Sequence, residues 1–508
     1  MLFSVLSASI FTDGTMLVLS LLVFIALMMT KVGHRFGIPT LLLFLLVGMM
    51  AGNDIIGLKF DNYESAEIIG ELAMCVIILS GALETDLKKV RPVMKQGILL
   101  STVGVLVTVA LTAFFLFLTL GRNGSSPVPV ALAKSVLVAS VMASTDSASV
   151  FSLLRSKRLR LKENIGSVLE MESGSNDPLA HLLTIIMVGV VAALQGASSG
   201  PVKSGSLIAS AAFELVMKII IGAAIGYAVG KGSTLIFKKI RLGGSPLYAI
   251  LILTMGFFSY GLSSMLWGSG LLAIYMTGLI IGNDVNMPFR KDVQKVMDGI
   301  TWLAQLLMFL MLGLLASPGR LPSVSVSAIC VALFMMFVAR PISVFICLSR
   351  VKSLSFRGKL FVSWVGLKGA GPIMFAVAPV AAGLANATRI FDIVFVVTLL
   401  SLIIQGMTLA PVAKLLKVSL DEAPPVDTLG IDIPEELGDI TNYTLKESDL
   451  KRGNTLRDLH LPHGTRVIML KRGEYYLAPH GSLALKPGDM MVILVSEHTE
   501  DNIPEELL

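Results

Sequence analysis

Three carboxylates stand close together in the segment Glu170-Met-Glu-Ser-Gly-Ser-Asn-Asp177, which is otherwise apolar enough to cross a bilayer. Acidic side chains inside a membrane are unfavourable and usually mark the route of an ion or a proton. One helical turn beyond Asp177 stands His181, on the same face of the helix. A carboxylate at this depth can hold either a proton or a cation stripped of its water, but not both. The segment therefore predicts exchange of a cation for a proton.

A positively charged side chain stands at the middle of another apolar run, where Arg340 is followed by Pro341. A buried arginine needs an anionic partner, and the acids of residues 170–177, with Asp146, are the supply at that depth. If Arg340 pairs with one acid, the other acids remain to act. Asp146 itself lies in the run Val141-Met-Ala-Ser-Thr-Asp-Ser-Ala-Ser-Val150. Its serine and threonine side chains compete for backbone hydrogen bonds, which favours local unwinding of the helix.

A second broken helix is predicted by the run Trp364-Val-Gly-Leu-Lys-Gly-Ala-Gly-Pro372, which contains three glycines and a proline. Irregular backbone at membrane depth is tolerated where it lines a cavity or is buried in protein. A packing kink without a functional role is the alternative. We expect a crossing of two broken helices, at which helix ends and unpaired carbonyls share one depth, formed here by Lys368, Gly369, Gly371 and Pro372.

The elements that must position these residues are membrane spans. Of the 508 residues, 54% are hydrophobic and 15% are charged, whereas a soluble protein has about 25% charged residues. Apolar runs of spanning length predict a polytopic α-helical membrane protein with thirteen spans, at roughly 14–33, 36–52, 66–84, 94–120, 129–154, 164–195, 207–231, 246–267, 269–283, 297–316, 323–349, 358–382 and 389–417. Lysine and arginine cluster in alternate loops. The positive-inside rule then places the N-terminus outside and the C-terminus in the cytoplasm.

An internal repeat is indicated by two similar span ends, Gly48-Met-Met-Ala-Gly-Asn-Asp54 and Gly278-Leu-Ile-Ile-Gly-Asn-Asp284. Seven spans separate the copies, so they would be inverted with respect to each other in the membrane. Inverted repeats are typical of secondary transporters, whose sites lie near the midplane where helices break. Chance similarity between glycine-rich helix ends is the alternative.

The composition changes near residue 418, where charged residues and proline become frequent. We predict a membrane domain over 1–418, a linker over 419–428 and a soluble domain over 429–508. In the last of these, alternating apolar runs between Arg-Gly and Pro-Gly-Asp turns favour a small β-rich α/β module. The net charge of +6 is explained by basic loops rather than by nucleic-acid binding. No phosphate-binding glycine loop and no metal-ligand spacing is found, so we expect a protein that is not an enzyme and needs no cofactor.

Taken together, these motifs resemble the NhaP-type monovalent cation:proton antiporters of the sodium/proton exchanger superfamily. The resemblance covers the whole membrane domain and is carried by Thr145-Asp146, Glu172-Ser-Gly-Ser-Asn-Asp177, Arg340-Pro341 and Gly366-Leu-Lys-Gly369. It implies thirteen spans, a core that slides against a dimerisation domain by alternating access, and a homodimer. It also implies a multi-pass protein of the bacterial cytoplasmic (inner) membrane, in contact with lipid.

The same resemblance implies roles for individual residues. Asp177 would be the carboxylate that binds the cation or the proton. The other implied site residues are Asn176 and Thr145, which shape the site, Asp146, which assists, Ser173, and Glu172, which pairs with Arg340. An Asn-Asp pair in place of Asp-Asp resembles the electroneutral one-for-one branch. Ser147 stands where many members have proline, which resembles the potassium/proton subgroup and leaves K⁺ and Na⁺ both open as the transported metal ion. Glu170 receives no role, and His181 is either a packed histidine or a proton shuttle.

The soluble domain resembles the C-terminal half of RCK regulatory domains (RCK_C, or TrkA-C). The matching stretches are Gly453–Pro462, Val467–Gly473, Leu485–Asp489 and Val492–Val495. The resemblance implies dimerisation and binding of a small anionic regulator such as a cyclic dinucleotide, and a solvated turn is the alternative for its candidate contacts, Lys471, Arg472 and His480. An RCK-regulated cation channel is an alternative function, but no Thr-Val-Gly-Tyr-Gly-like filter is present.

Overall fold

The computed structural model describes residues 13–36, 39–52, 54–58, 60, 62–121, 127–156, 159–196, 204–240, 242–421, 439–445, 450, 453–459, 461, 465–473 and 475–495. The chain divides into two compact units, Met1–Leu420 and Asp421–Leu508. At the start of the predicted linker, Ser419–Asp421 forms a short strand. Residues 422–428 of that linker lie outside the described residues.

Helices build almost all of the described part of the first unit. In chain order they are α1 (Asp13–Phe36), α2 (Thr40–Ala51), α3 (Tyr63–Glu84), α4 (Leu87–Thr119), α5 (Val128–Val141), α6 (Ser147–Ser156), α7 (Ile165–Gly196), α8 (Ser204–Lys239), α9 (Ser245–Met265), α10 (Gly270–Gly282), α11 (Arg290–Leu315), α12 (Leu321–Leu348), α13 (Phe356–Trp364), α14 (Ala370–Ala381) and α15 (Ala387–Leu415). A two-stranded sheet pairs β1 (Leu159–Leu161) with β2 (Ser419–Asp421).

The helices identify a polytopic membrane protein. Among the described residues, eight helices are long and apolar enough to cross a membrane, and five shorter helices are similarly apolar. Each of these thirteen segments overlaps one of the spans predicted from the sequence. Apolar side chains such as Phe213, Ile220 and Tyr227 of α8 are more than half exposed, which suits a surface that contacts lipid.

Glycines allow the two similar span ends to approach other helices closely. A Cβ atom at Gly48 of α2 would overlap the carbonyl oxygen of Leu310 on α11. A Cβ atom at Gly278 of α10 would lie 2.9 Å from the carbonyl oxygen of Leu79 on α3. Each short helix therefore packs on the helix that follows the other copy, so the two copies exchange equivalent contacts.

Polar residues just beyond these two helices add hydrogen bonds to the same contacts between the copies. Asn283 accepts a hydrogen bond from the backbone N–H of Leu87 and donates one to the carbonyl of Thr85, both at 2.9 Å. In the other copy, Asp54 accepts a hydrogen bond from the backbone N–H of Gly319 at 2.8 Å. Asn283 thereby satisfies backbone groups at the end of α3 and the start of α4, which lack helical partners, and Asp54 satisfies one in the turn between α11 and α12.

Two helices are interrupted in the segments for which breaks were predicted. The chain leaves the helix after Val141 and re-enters it at Ser147, and it does the same between Trp364 and Ala370. The first gap lies in the serine- and threonine-rich run, and the second in the glycine-rich run. Backbone N–H and C=O groups at four helix ends are thereby left to find partners outside their own helices.

The described part of the second unit is a four-stranded antiparallel sheet in the order β3–β6–β4–β5, which comprises β3 (Asp439–Thr444), β4 (Thr465–Arg472), β5 (Tyr475–Leu477) and β6 (Met490–Val495). Its small core is formed by Leu445, Leu470, Leu485, Met491 and Ile493. The other regular element among these described residues is a 3₁₀ turn, Leu456–Leu459. The helical part of the predicted α/β module therefore has no counterpart among them.

Candidate functional site

The two helix breaks meet each other inside the first unit. The backbone N–H of Asp146 donates to the carbonyl of Leu367 at 2.8 Å. A Cβ atom at Gly369 would overlap the Asp146 carboxylate, and one at Gly371 would lie 2.8 Å from the Ser144 hydroxyl. The glycines of the second break are therefore needed for this close approach, and the two breaks, with their four helix ends, come together at one place.

Lys368 lies just beyond the C-terminal end of α5. Its buried ammonium donates to the carbonyl of Ser144 at 2.8 Å and lies 3.5 Å from the carbonyl of Ala143. A helix C-terminus carries partial negative charge on its free carbonyls, so a cation there is favourable. The backbone N–H of Lys368 is in turn satisfied by the Ser401 hydroxyl at 2.9 Å.

Three side chains of α7 reach into the first break. The Ser173 hydroxyl donates to the carbonyl of Thr145 at 2.8 Å, and the Asn176 amide donates to the Thr145 hydroxyl at 2.5 Å. The Ser144 hydroxyl donates to the carboxylate of Asp177. Asp177 is partly buried. The structure thus brings Asp177, Asn176, Thr145 and Ser173 together, and it adds Ser144, which the sequence reasoning did not select.

Oxygen atoms line this part of the site. Besides the Asp177 carboxylate, the amide oxygen of Asn176 is buried and has no hydrogen-bond partner in the part of the chain that the structure describes. An unpaired buried acceptor is unfavourable unless something donates to it or is coordinated by it. Carboxylate, amide, hydroxyl and carbonyl oxygens suit a partly dehydrated monovalent cation.

Asp146 has a clear local role at the start of α6. Its carboxylate accepts hydrogen bonds from the backbone N–H of Ser149 at 3.1 Å and from the Ser149 hydroxyl at 2.5 Å. These bonds cap the N-terminus of the helix, where a negative charge is favourable. Asp146 therefore stabilises the start of α6 after the first break. Its carboxylate also lies beside Gly369, which directly precedes α14.

Arg340 lies against Glu172 in a buried ion pair. Nη2 of Arg340 donates to Oε2 of Glu172 at 2.8 Å, and Nη1 donates to Oε1. The two side chains are 9% and 1% exposed. Arg340 directly follows a π-turn, Met335–Ala339, a feature often found at functional sites. The pair links α12 to α7, the helix that carries Asp177.

The charges around the crossing do not balance. Three carboxylates and two cations meet here: Asp146, Glu172 and Asp177 with Arg340 and Lys368. Arg340 is neutralised by Glu172. Lys368 is hydrogen-bonded to carbonyls and balances a single further charge. Counted as formal charges with all five groups ionised, one negative charge is left over, which a proton or a monovalent cation can neutralise.

His181 and two further acids, Glu71 and Glu170, lie on or beside α7. His181 Nε2 lies 3.7 Å from Oε1 of Glu71 on α3, and Tyr260 of α9 donates to Oε2 of the same carboxylate at 3.0 Å. Glu71 is not among the site residues predicted from the sequence. The available signal was its spacing from Glu67, because two acids four residues apart share one face of an apolar span. Glu170 is partly buried near the start of α7.

In the second unit, Arg472 is held by a carboxylate. Its Nε donates to Oδ1 of Asp489 at 2.8 Å and its Nη2 to Oδ2 at 2.7 Å. These hydrogen bonds hold the pKa of Asp489 below its usual range. Lys471 precedes Arg472 on β4, and Nδ1 of His480 lies 3.1 Å from the Ser482 hydroxyl. Of the three candidate ligand contacts, Arg472 is thus already engaged within the sheet.

Comparison with known proteins shows which family the chain is similar to. Residues 5–415 match the family model described as sodium/hydrogen exchanger, transmembrane. Over 483 residues the chain is 36% identical to the K(+)/H(+) antiporter NhaP2 of Shewanella baltica, which covers 94% of this chain and 80% of that protein. Over 484 residues it is 32% identical to the K(+)/H(+) antiporter NhaP of Alkalimonas amylolytica, covering 94% and 81%. Over 385 residues it is 27% identical to Na(+)/H(+) antiporter 1 of Methanocaldococcus jannaschii, covering 72% and 82%.

A solved structure has the same fold. The sodium proton antiporter MjNhaP1 from Methanocaldococcus jannaschii at pH 8 superimposes with a TM-score of 0.61 and 24% sequence identity. The match covers 78% of this chain and 100% of that chain. At this level of identity the likeness concerns the fold of the helices rather than the chemistry of the site.

Proposed function

The chain belongs to the sodium/hydrogen exchanger family and exchanges a monovalent cation for protons across a membrane, and we propose that Asp177 is the carboxylate at which the two compete. The observation that carries this proposal is the left-over negative charge at the crossing. Glu172 is taken up by Arg340 and Asp146 caps α6, whereas Asp177 is held by the hydroxyl of Ser144. A hydroxyl can turn its lone pairs toward a bound cation together with the carboxylate.

Competition for one carboxylate couples the two fluxes. When Asp177 holds a proton, it cannot balance the charge of a cation, and when it holds the cation it must have released the proton. One proton exchanged for one monovalent cation leaves the charge of the site unchanged, so the exchange is electroneutral. Asn176, Thr145 and Ser173 contribute the oxygens that replace the water shell of the cation.

We propose K⁺ as the principal cation and Na⁺ as the alternative. The relatives that are 36% and 32% identical carry K(+)/H(+) in their names, whereas the relative named for Na(+)/H(+) is 27% identical over a shorter stretch. The larger ion needs a wider set of oxygens with less demand on geometry. A break whose donors are hydroxyls and carbonyls can supply such a set.

The proposed architecture has thirteen spans arranged as two inverted repeats. The contacts of Gly48 with α11 and of Gly278 with α3 support it, because an inverted repeat requires each copy to make the same contact with the other. In the proposed orientation the N-terminus lies outside and the second unit in the cytoplasm of a bacterial cell, at its inner membrane. Alternating access would then move α5–α7 and α12–α14 relative to α3 and α9–α11.

We propose that two copies form a homodimer and that the second unit is an RCK_C-like regulator. A four-stranded sheet supports a small ligand-binding module, and a small anion such as a cyclic dinucleotide is the proposed ligand class. Lys471 and His480 are the proposed contacts, while Arg472 positions the β4 edge through Asp489. Cross-linking of purified protein in lipid, and titration of the anion against full-length protein, test these two points.

The experiment that tests the proposed function is antiport in proteoliposomes. An imposed pH gradient is followed with a pH-sensitive dye while K⁺, Na⁺ or choline is added, with the full chain and with a chain that ends after Val418. Saturable dissipation of the gradient by K⁺ at lower concentration than by Na⁺ is expected, and none by choline. Non-saturable flux that does not depend on pH would contradict exchange and favour a channel.

A further inference from the structure

A second cluster of ionisable groups lies outside the crossing, and the exchange at Asp177 does not use it. His181 of α7 lies between Glu71 of α3 and the ring of Phe375 on α14, at 3.7 Å from the carboxylate and 5.3 Å between ring centroids. Tyr260 of α9 donates to the other oxygen of Glu71. Glu67, one turn before Glu71, borders the same cavity. Four helices therefore meet at one histidine and two carboxylates.

Two helices independently place this cluster one turn from the exchange site. His181 follows Asp177 by four residues on α7, which puts the two side chains on one face. Phe375 follows Gly371 by four residues on α14, and Gly371 lies against Ser144, the residue that donates to Asp177. The cluster and the exchange carboxylate are thus neighbouring layers of the same pair of helices.

The cluster also joins two groups of helices with different tasks. α7 supplies side chains to the crossing and α14 begins at it, whereas no described residue of α3 or α9 is hydrogen-bonded there. Met374 of α14 packs on Gly70 of α3, so the apolar contact between the groups lies beside the polar one. Any displacement of α7 and α14 along α3 has to separate His181 from Glu71.

The attraction between His181 and Glu71 depends on charge rather than on a neutral hydrogen bond. At 3.7 Å the two atoms are farther apart than the 2.7–3.2 Å of ordinary N–H···O bonds, so the pair would be held together mainly when His181 carries a proton. Histidine is the side chain that gains or loses its charge near neutral pH. The ionisable groups placed around it are acidic or neutral: Glu71 and Glu67 from α3 line the same cavity, Tyr260 from α9 donates to Glu71, and Asp177 precedes His181 by one turn on α7. The facing residues of α10 and α14 are apolar.

We propose that His181 and Glu71 form a second proton-binding site, and that a proton bound there holds α7 against α3 and slows the exchange cycle. The inference rests on the proposed exchange at Asp177. A proton on His181 completes the ion pair and stabilises the observed arrangement of the helices. Loss of that proton weakens the pair and frees α7 and α14 to move. Asp177 then sets which ion is carried, and the second site sets how fast the cycle runs at a given pH.

The test separates the maximal rate from the apparent KM for the cation. Protons that compete at Asp177 raise the apparent KM, and saturating cation overcomes them. Protons at the second site lower the maximal rate, which saturating cation does not restore. We expect His181→Gln and Glu71→Gln each to raise the maximal rate at pH 6 by about two- to fivefold, the range for a partly exposed ion pair, with KM unchanged. The double variant should give no further gain.

Glu214→Gln is the matched control, because Glu214 pairs with Lys218 at 2.9 Å on α8, away from the crossing. The maximal rate of this variant should depend on pH as that of the wild type does. A higher KM in Glu71→Gln alone would make Glu71 a cation ligand and overturn the proposal. Equal losses of rate at every pH in both variants would make the pair purely structural and also overturn it. Wild-type protein without cation-driven proton flux would instead refute the proposed function.

A measurement on the wild type covers the case in which a glutamine variant fails to fold. Hydrogen exchange of peptides from Tyr63–Glu84, corrected for the intrinsic pH dependence, is compared at pH 5.5 and pH 8.5. Slower exchange at pH 5.5 is the expected result, because the protonated pair holds α3 in place. Equal corrected rates at the two pH values would refute the second site.

Discussion

Replacement of Arg340 by alanine leaves the Glu172 carboxylate buried without its partner. The carboxylate of Glu172 is 1% exposed and Arg340 is its bidentate donor, so water cannot take over the lost hydrogen bonds without opening the helices. Removal of one member of a buried ion pair destabilises proteins by about 3–5 kcal/mol. The folding equilibrium constant should therefore fall by about a hundredfold to several thousandfold.

The double variant Arg340→Ala, Glu172→Ala distinguishes the pair from the two residues taken singly. Both single variants leave a buried charge, whereas the double variant leaves a neutral cavity. We expect the double variant to be more stable than either single variant, with a coupling free energy of about 3 kcal/mol, the upper part of the range for residues in contact. Arg357→Ala, which removes an exposed arginine, is the control and should stay within about 0.5 kcal/mol of the wild type.

Equilibrium unfolding in mixed micelles, followed by tryptophan fluorescence as the SDS fraction increases, measures these free energies. A loss below about 1 kcal/mol for Arg340→Ala, which is typical of an exposed pair, would refute the buried ion pair. So would single-variant losses that simply add in the double variant, because additivity means that the two side chains do not interact.

The remaining predictions concern a helix contact and the second unit. Gly48→Ala should destabilise the protein by about 1–3 kcal/mol, the range for overpacking, because the added Cβ would overlap the carbonyl oxygen of Leu310. Gly81→Ala, whose added Cβ would meet open space, is the control in the same unfolding measurement. Asp489→Asn should weaken the sheet by about 1.5–3 kcal/mol at pH 7, as expected for hydrogen bonds to a charged group, and hydrogen exchange of β4 and β6 in the full chain measures this. Because the folded-state pKa of Asp489 is lowered by Arg472, this stabilisation is complete above the unfolded pKa of about 3.9 and is lost as the pH falls through the folded pKa, so the variant and the wild type should converge in acid.

The two helix breaks could be predicted because their causes are local. The serine- and threonine-rich run around Asp146 and the glycine-rich run around Lys368 each disfavour a continuous helix through their own chemistry. The sequence also limits the partners of a buried Arg340 to a few acids. It cannot choose among them, because Glu170, Glu172 and Asp177 are all within reach of a neighbouring helix until the packing of α7 against α12 is known.

Contacts between distant helices could not be predicted from residue types alone. The approach of His181 to Glu71 depends on the packing of α7 against α3, and neither residue alone distinguishes a packed side chain from a partner. The packing of α2 on α11 and of α10 on α3 also depends on the tertiary structure, although the glycines that permit these contacts were visible in the similar span ends. In the second unit, the resemblance made Arg472 a candidate ligand contact, and its pairing with Asp489 could not be predicted because Asp489 lies on a distant turn.

The central claim is that one carboxylate, Asp177, carries both ions. Its most direct test is the Asp177→Asn variant in proteoliposomes under an imposed pH gradient, with Asp298→Asn, which changes an exposed aspartate of α11, as the control. The control should dissipate the gradient on addition of K⁺ as the wild type does, and the Asp177→Asn protein should not respond to any monovalent cation. Dissipation by Asp177→Asn at a rate near that of the control would contradict the assignment of the exchange to Asp177.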